Sequence, residues 1–265
     1  MSDDELLAAI RSTFPTLDGW RDRLAEIIEP APGSELAVDD EEWPYACTSS
    51  LVSVGLGTAR EHLHAVRILV EAEELFPAAA STLCRSALIG ASLAVWMLEP
   101  DDRDVRLRRA LSLAVEDYKR HIQFGRDITG MLAPEDIAPT ADEQLDRLEL
   151  RRSQVLSLLD NVGGRAEVNL TDDVIPTALE YTIPDDSQRA QMLVRWRAMS
   201  GAAHALTWHY FGYDSTTASD VDAGGVGRVA VGGDIGRLAM DYFPPFHVAT
   251  AGWRLLEQRC SLPGD

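Results

Sequence analysis

Residues 78–98 constrain the fold more than any other stretch, because nearly every face of a helix drawn through them is apolar or small: Leu83, Ala87, Leu88, Ile89, Ala91, Leu93, Ala94, Val95 and Met97. A helix lying on a protein surface carries one apolar stripe, whereas one that is apolar all round is enclosed by other elements. Pro77 suits the first helical turn, where an N–H would go unpaired anyway, and Pro100 follows the far end. The most continuously apolar part, 87–98, is too short to cross a bilayer. The expected centre of the fold is therefore one buried helix, and the rest of the chain must supply the helices around it.

The flanking segments have the period and stop signals for that task. Asp3 and Asp4 open a short amphipathic stretch ending before Pro15, and 17–29 makes a second, closed by Pro30-Ala31-Pro32-Gly33. After an acidic loop with Asp39, Asp40, Glu41 and Glu42, residues 49–76 run with helical spacing. Pro100-Asp101-Asp102 ends the central helix and caps the next, which pairs Asp102 with Arg106 and Asp104 with Arg108 at i, i+4 and continues to about Leu132. Thr140-Ala141-Asp142-Glu143 has the form of a capping box, and Gly163-Gly164 stops the helix that follows. A short helical piece lies around 174–181, and Pro184-Asp185-Asp186-Ser187 starts a late helix that should run through Trp196, His204 and Trp208 to about Tyr213. Glycines dominate 215–233, with Arg228-Val229-Ala230-Val231 the one β-like run; 234–260 is helical in pattern, but Pro244-Pro245 should break it in two. The pattern predicts an all-α helical bundle of about seven to nine helices, with one Gly-rich loop or small hairpin near the C-terminus. Its expected parts are an N-terminal helical hairpin and acidic loop (1–45), a helical bundle (46–214), and a Gly-rich loop with C-terminal helices packing on the same domain (215–265).

The balance of 24 basic against 43 acidic residues, a formal charge of -19, repels phosphate backbones unless the basic side chains gather on one face, and so argues against general DNA or RNA binding. Cys47, Cys84 and Cys260 are odd in number and far apart, so no disulfide framework is expected. Met1-Ser2-Asp3-Asp4-Glu5 is negative where a signal peptide is positive. These features predict a cytoplasmic protein with no membrane insertion.

On the late helix Arg197 and His204 stand seven residues apart, so at about 100° per residue they differ by only about 20° around the axis. Ser200 lies on that face between them, and Trp208 follows one turn beyond His204. Gly201, Ala202, Ala203 and Ala205 leave room for a second helix to approach. At Trp196-Arg197-Ala198-Met199-Ser200-Gly201-Ala202-Ala203-His204 the chain resembles the HEPN superfamily, whose all-α members carry an arginine and a histidine separated by about four to six residues on one late helix. Thr82-Leu83-Cys84-Arg85-Ser86-Ala87-Leu88 also looks like the arginine-bearing central helix of uncharacterised bacterial relatives of that group. The resemblance covers roughly 46–214. It implies a homodimer that brings two such motifs together, and metal-independent RNA cleavage of toxin or phage-defence type, with His204 as acid/base and Arg197 steadying the phosphate.

Arg85 stands in an otherwise apolar helix, where an unpaired guanidinium is costly to desolvate. Glu61 or Glu71 would supply a structural ion pair; alternatively Arg85 points into the same cavity as Arg197 and His204 and holds an anion. Two other functional readings stand beside the ribonuclease. One is a non-catalytic helical module that binds a protein partner through the same surface or through the acidic loop 39–42, which the charge favours. The other is a small-molecule enzyme with an aromatic pocket around Trp196, Trp208, His209 and Tyr210. Geometry separates catalysis from packing: a working Arg197 and His204 must reach solvent, whereas packing residues are buried and satisfied. Glu61-x-x-His64 is half of a di-iron motif with no second half, so no metal or other cofactor is expected. Arg103, Arg106, Arg108 and Arg109 are explained by their i, i+4 acidic neighbours, and Gly224-Gly225-Val226-Gly227 lacks the strand and helix that a nucleotide loop requires.

Overall fold

The computed structural model describes residues 1–132, 140–210, 216–220 and 222–262. Along the chain they form α1 (Asp3–Arg11), α2 (Phe14–Leu24), α3 (Glu35–Asp40), α4 (Thr48–Glu71), α5 (Pro77–Leu98), α6 (Arg103–Met131), α7 (Thr140–Asn161), α8 (Ile175–Thr182), α9 (Asp186–Ala203) and α10 (Ile235–Cys260). A small antiparallel ribbon pairs β1 (Thr216–Ala218) with β2 (Val229–Val231), with Thr217 opposite Ala230. The fold is all-α, as the periodicity predicts, and the hairpin occupies the Gly-rich region. The chain divides into two packed units. One comprises Met1–Ile28, Ser53–Val95 and Ile175–Leu255; the other comprises Glu29–Val52, Trp96–Val174 and the chain from Leu256.

In the first unit α4 and α5 meet backbone to backbone. Gly55 and Gly90 face each other so closely that a Cβ on Gly55 would stand 2.7 Å from the Gly90 carbonyl oxygen. In the same unit Ile10, Leu17, Leu56, Leu63, Leu88 and Leu179 are fully buried. Trp20 lies 5.5 Å from Phe246 and 6.1 Å from Trp253, extending the core into α10. As a whole, α5 is long and apolar enough to cross a membrane by length and composition, a property the shorter 87–98 run does not reveal; here 56% of its apolar window is buried inside the fold. Glu73, at φ +59, ends α4 earlier than the spacing predicts: Glu74 N–H bonds to the Leu69 carbonyl and Glu73 N–H to that of Val70.

Pro244 and Pro245 do not break the last helix, contrary to the sequence expectation; both lie inside a continuous α10. Two missing N–H groups deprive the carbonyls of Met240 and Asp241 of their helical donors. Both prolines are buried, however, and so are Tyr242, Val248 and Ala249 around them. Packing on both sides of the prolines outweighs the lost bonds, as tertiary context commonly does for helices.

The second unit centres on Trp43, Leu111, Val115, Tyr118, Val155 and Leu159, with Trp43 edge-on to Tyr118 at 6.4 Å. The acidic segment is not an open loop. Asp39 closes α3, is 2% exposed, and meets Arg106 Nε at 2.8 Å and Arg103 at 3.3 Å. Asp40 accepts the Ser49 N–H at 2.9 Å while burial pushes its carboxyl pKa up, and Glu42 pairs with Arg103 at 3.4 Å. Three of the four carboxylates offered to a partner are thus engaged internally. The arginine cluster is satisfied, but not by the i, i+4 neighbours expected: Asp102 caps α6 by accepting the N–H groups of Asp104 and Val105, while Arg108 donates to the Val162 carbonyl.

Candidate functional site

Arg85, Arg197, Ser200, His204, Trp208 and His209 all lie in the first unit, on α5, α9 and the turn that follows α9. The Asp185 carboxylate opens α9 by accepting the Gln188 N–H at 2.8 Å. The helix stops at Ala203, not near Tyr213, which is outside the described residues. Its end is a Schellman arrangement without glycine. Ala205 takes the left-handed conformation at φ +53, Leu206 N–H reaches the Gly201 carbonyl at 2.9 Å, and Ala205 N–H reaches that of Ala202 at 3.1 Å. A left-handed alanine costs about 1 kcal/mol or more, and the two closing hydrogen bonds offset it.

The turn changes the predicted face. His204 is the cap residue, its N–H bonded to the Ser200 carbonyl at 3.1 Å. Trp208 is therefore not one turn further along the same helix. It belongs to a 3-10 turn, Thr207–Tyr210, that folds back onto α9. A Cβ on Gly201 would stand 2.8 Å from Trp208 Cζ2 and 3.1 Å from His209 Cβ. The small residue read as room for a second helix is filled by the chain's own aromatic turn. His209 is buried, its ring lies 3.8 Å from that of Tyr210, and its Nδ1 contacts the Leu206 carbonyl.

Arg85 crosses from α5 to α9. Its Nε donates to Ser200 Oγ at 2.9 Å, and its guanidinium carbon lies 4.9 Å from the centre of the Trp196 ring, a cation–π contact. Neither Glu61 nor Glu71 answers it: Glu71 pairs with Arg67 at 2.9 Å, and Arg85 forms no ion pair among the described residues. Burial pulls the Arg85 pKa down, with no carboxylate opposing it. Arg197 and His204 are both exposed, and among the described residues neither has a hydrogen bond or ion pair from its side chain. The structure thus gathers Arg85, Ser200 and Trp196 in one place, and Gly201, Trp208 and His209 in another one turn along.

A second network, not anticipated from sequence, holds α9. Asp241 of α10 is 1% exposed; it accepts Ser81 Oγ–H at 2.6 Å and Arg195 Nη2 at 2.8 Å, and lies 3.4 Å from Arg237 Nε. Ser81 is one turn before Arg85, and Arg195 directly precedes Trp196. The buried carboxylate therefore ties α5, α9 and α10 together beside the Arg85 contact. The sequence signal was Arg237 and Asp241 at i, i+4 within an otherwise apolar segment. Cys84, also buried, has its thiol pKa pushed well up by burial and cannot serve as a thiolate nucleophile at neutral pH. Among the described residues no group of three or more His, Cys, Asp or Glu is placed to hold a metal ion. In comparisons with family models, curated proteins and solved structures, the chain matches none.

Proposed function

We propose that the end of α9 is a HEPN-like, metal-independent RNA-cleaving site that works in a homodimer. The observation that carries this reading is the exposure of Arg197 and His204 on either side of Ser200, where Arg85 docks at 2.9 Å with no carboxylate partner. Core packing predicts the opposite burial. A free imidazole at a helix end is available to take a proton from a ribose 2′-hydroxyl. As the 2′-oxygen bonds to phosphorus, the bond to the 5′-oxygen breaks, that oxygen takes a proton from water, and His204 releases to solvent the proton it accepted. Arg197 supplies positive charge where the phosphate gathers negative charge. The overall charge of -19 repels RNA, so a substrate segment must be held by local contacts at this helix end.

The test is incubation of purified protein with structured and unstructured RNA beside His204→Ala and Arg197→Ala variants. Loss of the acid/base should lower cleavage by about 10²–10⁴-fold, and loss of Arg197 by about 10²-fold or more. RNA left intact by the wild type and both variants removes the reading in favour of a non-catalytic interaction surface. That second reading draws on the same acidic charge, but no longer on the segment 39–42, whose carboxylates are mostly engaged.

A further inference from the structure

The second unit holds a groove of about 560 Å³ whose walls include Lys119, Gln123 and Arg126 from α6 and Glu149, Arg152 and Ser153 from α7. Lys119, Gln123 and Arg126 fall at i, i+4 and i+7, on one face of their helix. Two of the three cations already have partners: Arg126 is 2.5 Å from Glu149, and Lys119, the chain's only lysine, is 3.0 Å from Glu116. Arg152 differs. Its Nε is shut off from solvent and has no hydrogen-bond partner among the described residues. A ligand in the groove reaches the other N–H groups of this guanidinium, which have no ion-pair partner among the described residues. Asp127 and Glu149 are the acidic groups in the wall. With Glu116 on Lys119 and Glu149 on Arg126, Arg152 is the cation of the groove that no carboxylate answers among the described residues.

We propose that this groove binds the phosphate group of a small organic phosphate ester, with Arg152 donating to a phosphate oxygen and Arg126 and Lys119 adding charge. The carboxylates of the wall and the acidity of the whole chain repel a long polyanion, so the ligand is small. A volume of about 560 Å³ is within the range of small-molecule sites. Ile122, which is buried, and Leu156 line the same groove and offer an apolar bed for the organic part of the ester. Gln123 and Ser153 add neutral donors.

Calorimetric titration of the full chain with inorganic phosphate and, separately, with phenyl phosphate tests the assignment. Saturable binding is expected, tighter for phenyl phosphate than for inorganic phosphate; equal affinity for the two would overturn the assignment of an ester. Arg152→Gln should weaken binding by about 10–100-fold, the worth of one or two charge-assisted hydrogen bonds. Glu149→Gln, which frees Arg126 and removes a repelling carboxylate, should tighten it several-fold, a gain that unfolding cannot mimic. Absence of saturable heat with either probe overturns the proposal. So does wild-type affinity in Arg152→Gln.

Discussion

Alanine at Gly90 sets two known effects against each other, and the contact between α4 and α5 decides which wins. Replacing a mid-helix glycine by alanine favours the helix by about 0.8–1 kcal/mol. Against this, a Cβ at position 90 would run into the Gly55 carbonyl oxygen and stand 3.2 Å from the Ala59 amide nitrogen. Both obstacles are backbone in the middle of a helix, so no rotamer change relieves them and the helices must part. Overpacking of this kind costs about 1–3 kcal/mol, and parting also loosens Leu56 and Leu88, which are packed at 0% and 1% exposure. The net expectation for Gly90→Ala is a loss of up to about 2 kcal/mol despite the better propensity. Gly19 on α2 is the control, because nothing lies within 4 Å of a Cβ added there. Gly19→Ala should gain about 0.5–1 kcal/mol. Urea unfolding followed by far-ultraviolet circular dichroism reads both, with the Gly90→Ala midpoint falling by about half a molar and the Gly19→Ala midpoint rising. A Gly90→Ala midpoint at or above that of the wild type would refute the backbone contact.

Asp241→Asn keeps the shape of the buried carboxylate but leaves Arg195 and Arg237, with side chains 14% and 9% exposed, without their shared charge. Breaking such a pair costs about 3 kcal/mol, so a drop below about 1 kcal/mol in the same unfolding assay would show that the network does not hold α9. Thr13 and Tyr242 form a directional chain: Thr13 Oγ1 donates to the Ile10 carbonyl at 2.7 Å, so the Tyr242 hydroxyl, 2.6 Å away, must be the donor to Thr13. Burial pushes the Tyr242 pKa up to about 12, which keeps that donor protonated through the neutral range. Thr13→Val strands a buried O–H donor and should cost about 1–3 kcal/mol, whereas Tyr242→Phe removes the donor itself and should cost about 1 kcal/mol. The reverse ranking in thermal unfolding would overturn the assigned direction.

What could be read from the sequence was local chemistry. Pro77 at the start of α5, Asp102 before α6 and Asp185 before α9 each act within their own first turn, and each stands where its pattern places it. Helix ends without glycine were not legible, because Glu73 and Ala205 carry no sequence mark of a left-handed turn. The apolar period running on through Trp208 therefore read as more helix. The Pro244-Pro245 rule also failed, since it weighs lost hydrogen bonds but not the burial on either side. The partners of buried charges were hidden for the same kind of reason. Arg106 finds Asp39 across 67 positions, Arg85 finds Ser200 across 115, and Ser81 finds Asp241 across 160. A reading restricted to i, i+4 spacing and the preceding helix could only offer Asp102, Glu61 or Glu71 in their place.

The candidate site shows the consequence of that restriction. Its exposed members, Arg197 and His204, were found because they share a short motif. The groups that hold their helix, Arg85 on one side and the Asp241 carboxylate through Arg195 on the other, come from α5 and α10 and share no motif with it. A substitution at Asp241 should therefore disturb the Arg85 contact with Ser200 without touching Arg197 or His204. If the end of α9 cleaves RNA, Asp241→Asn should lower cleavage in the fraction of protein that remains folded, through loss of positioning. A variant that stays folded and cleaves at the wild-type rate would mean that the helix end holds its geometry without the buried carboxylate.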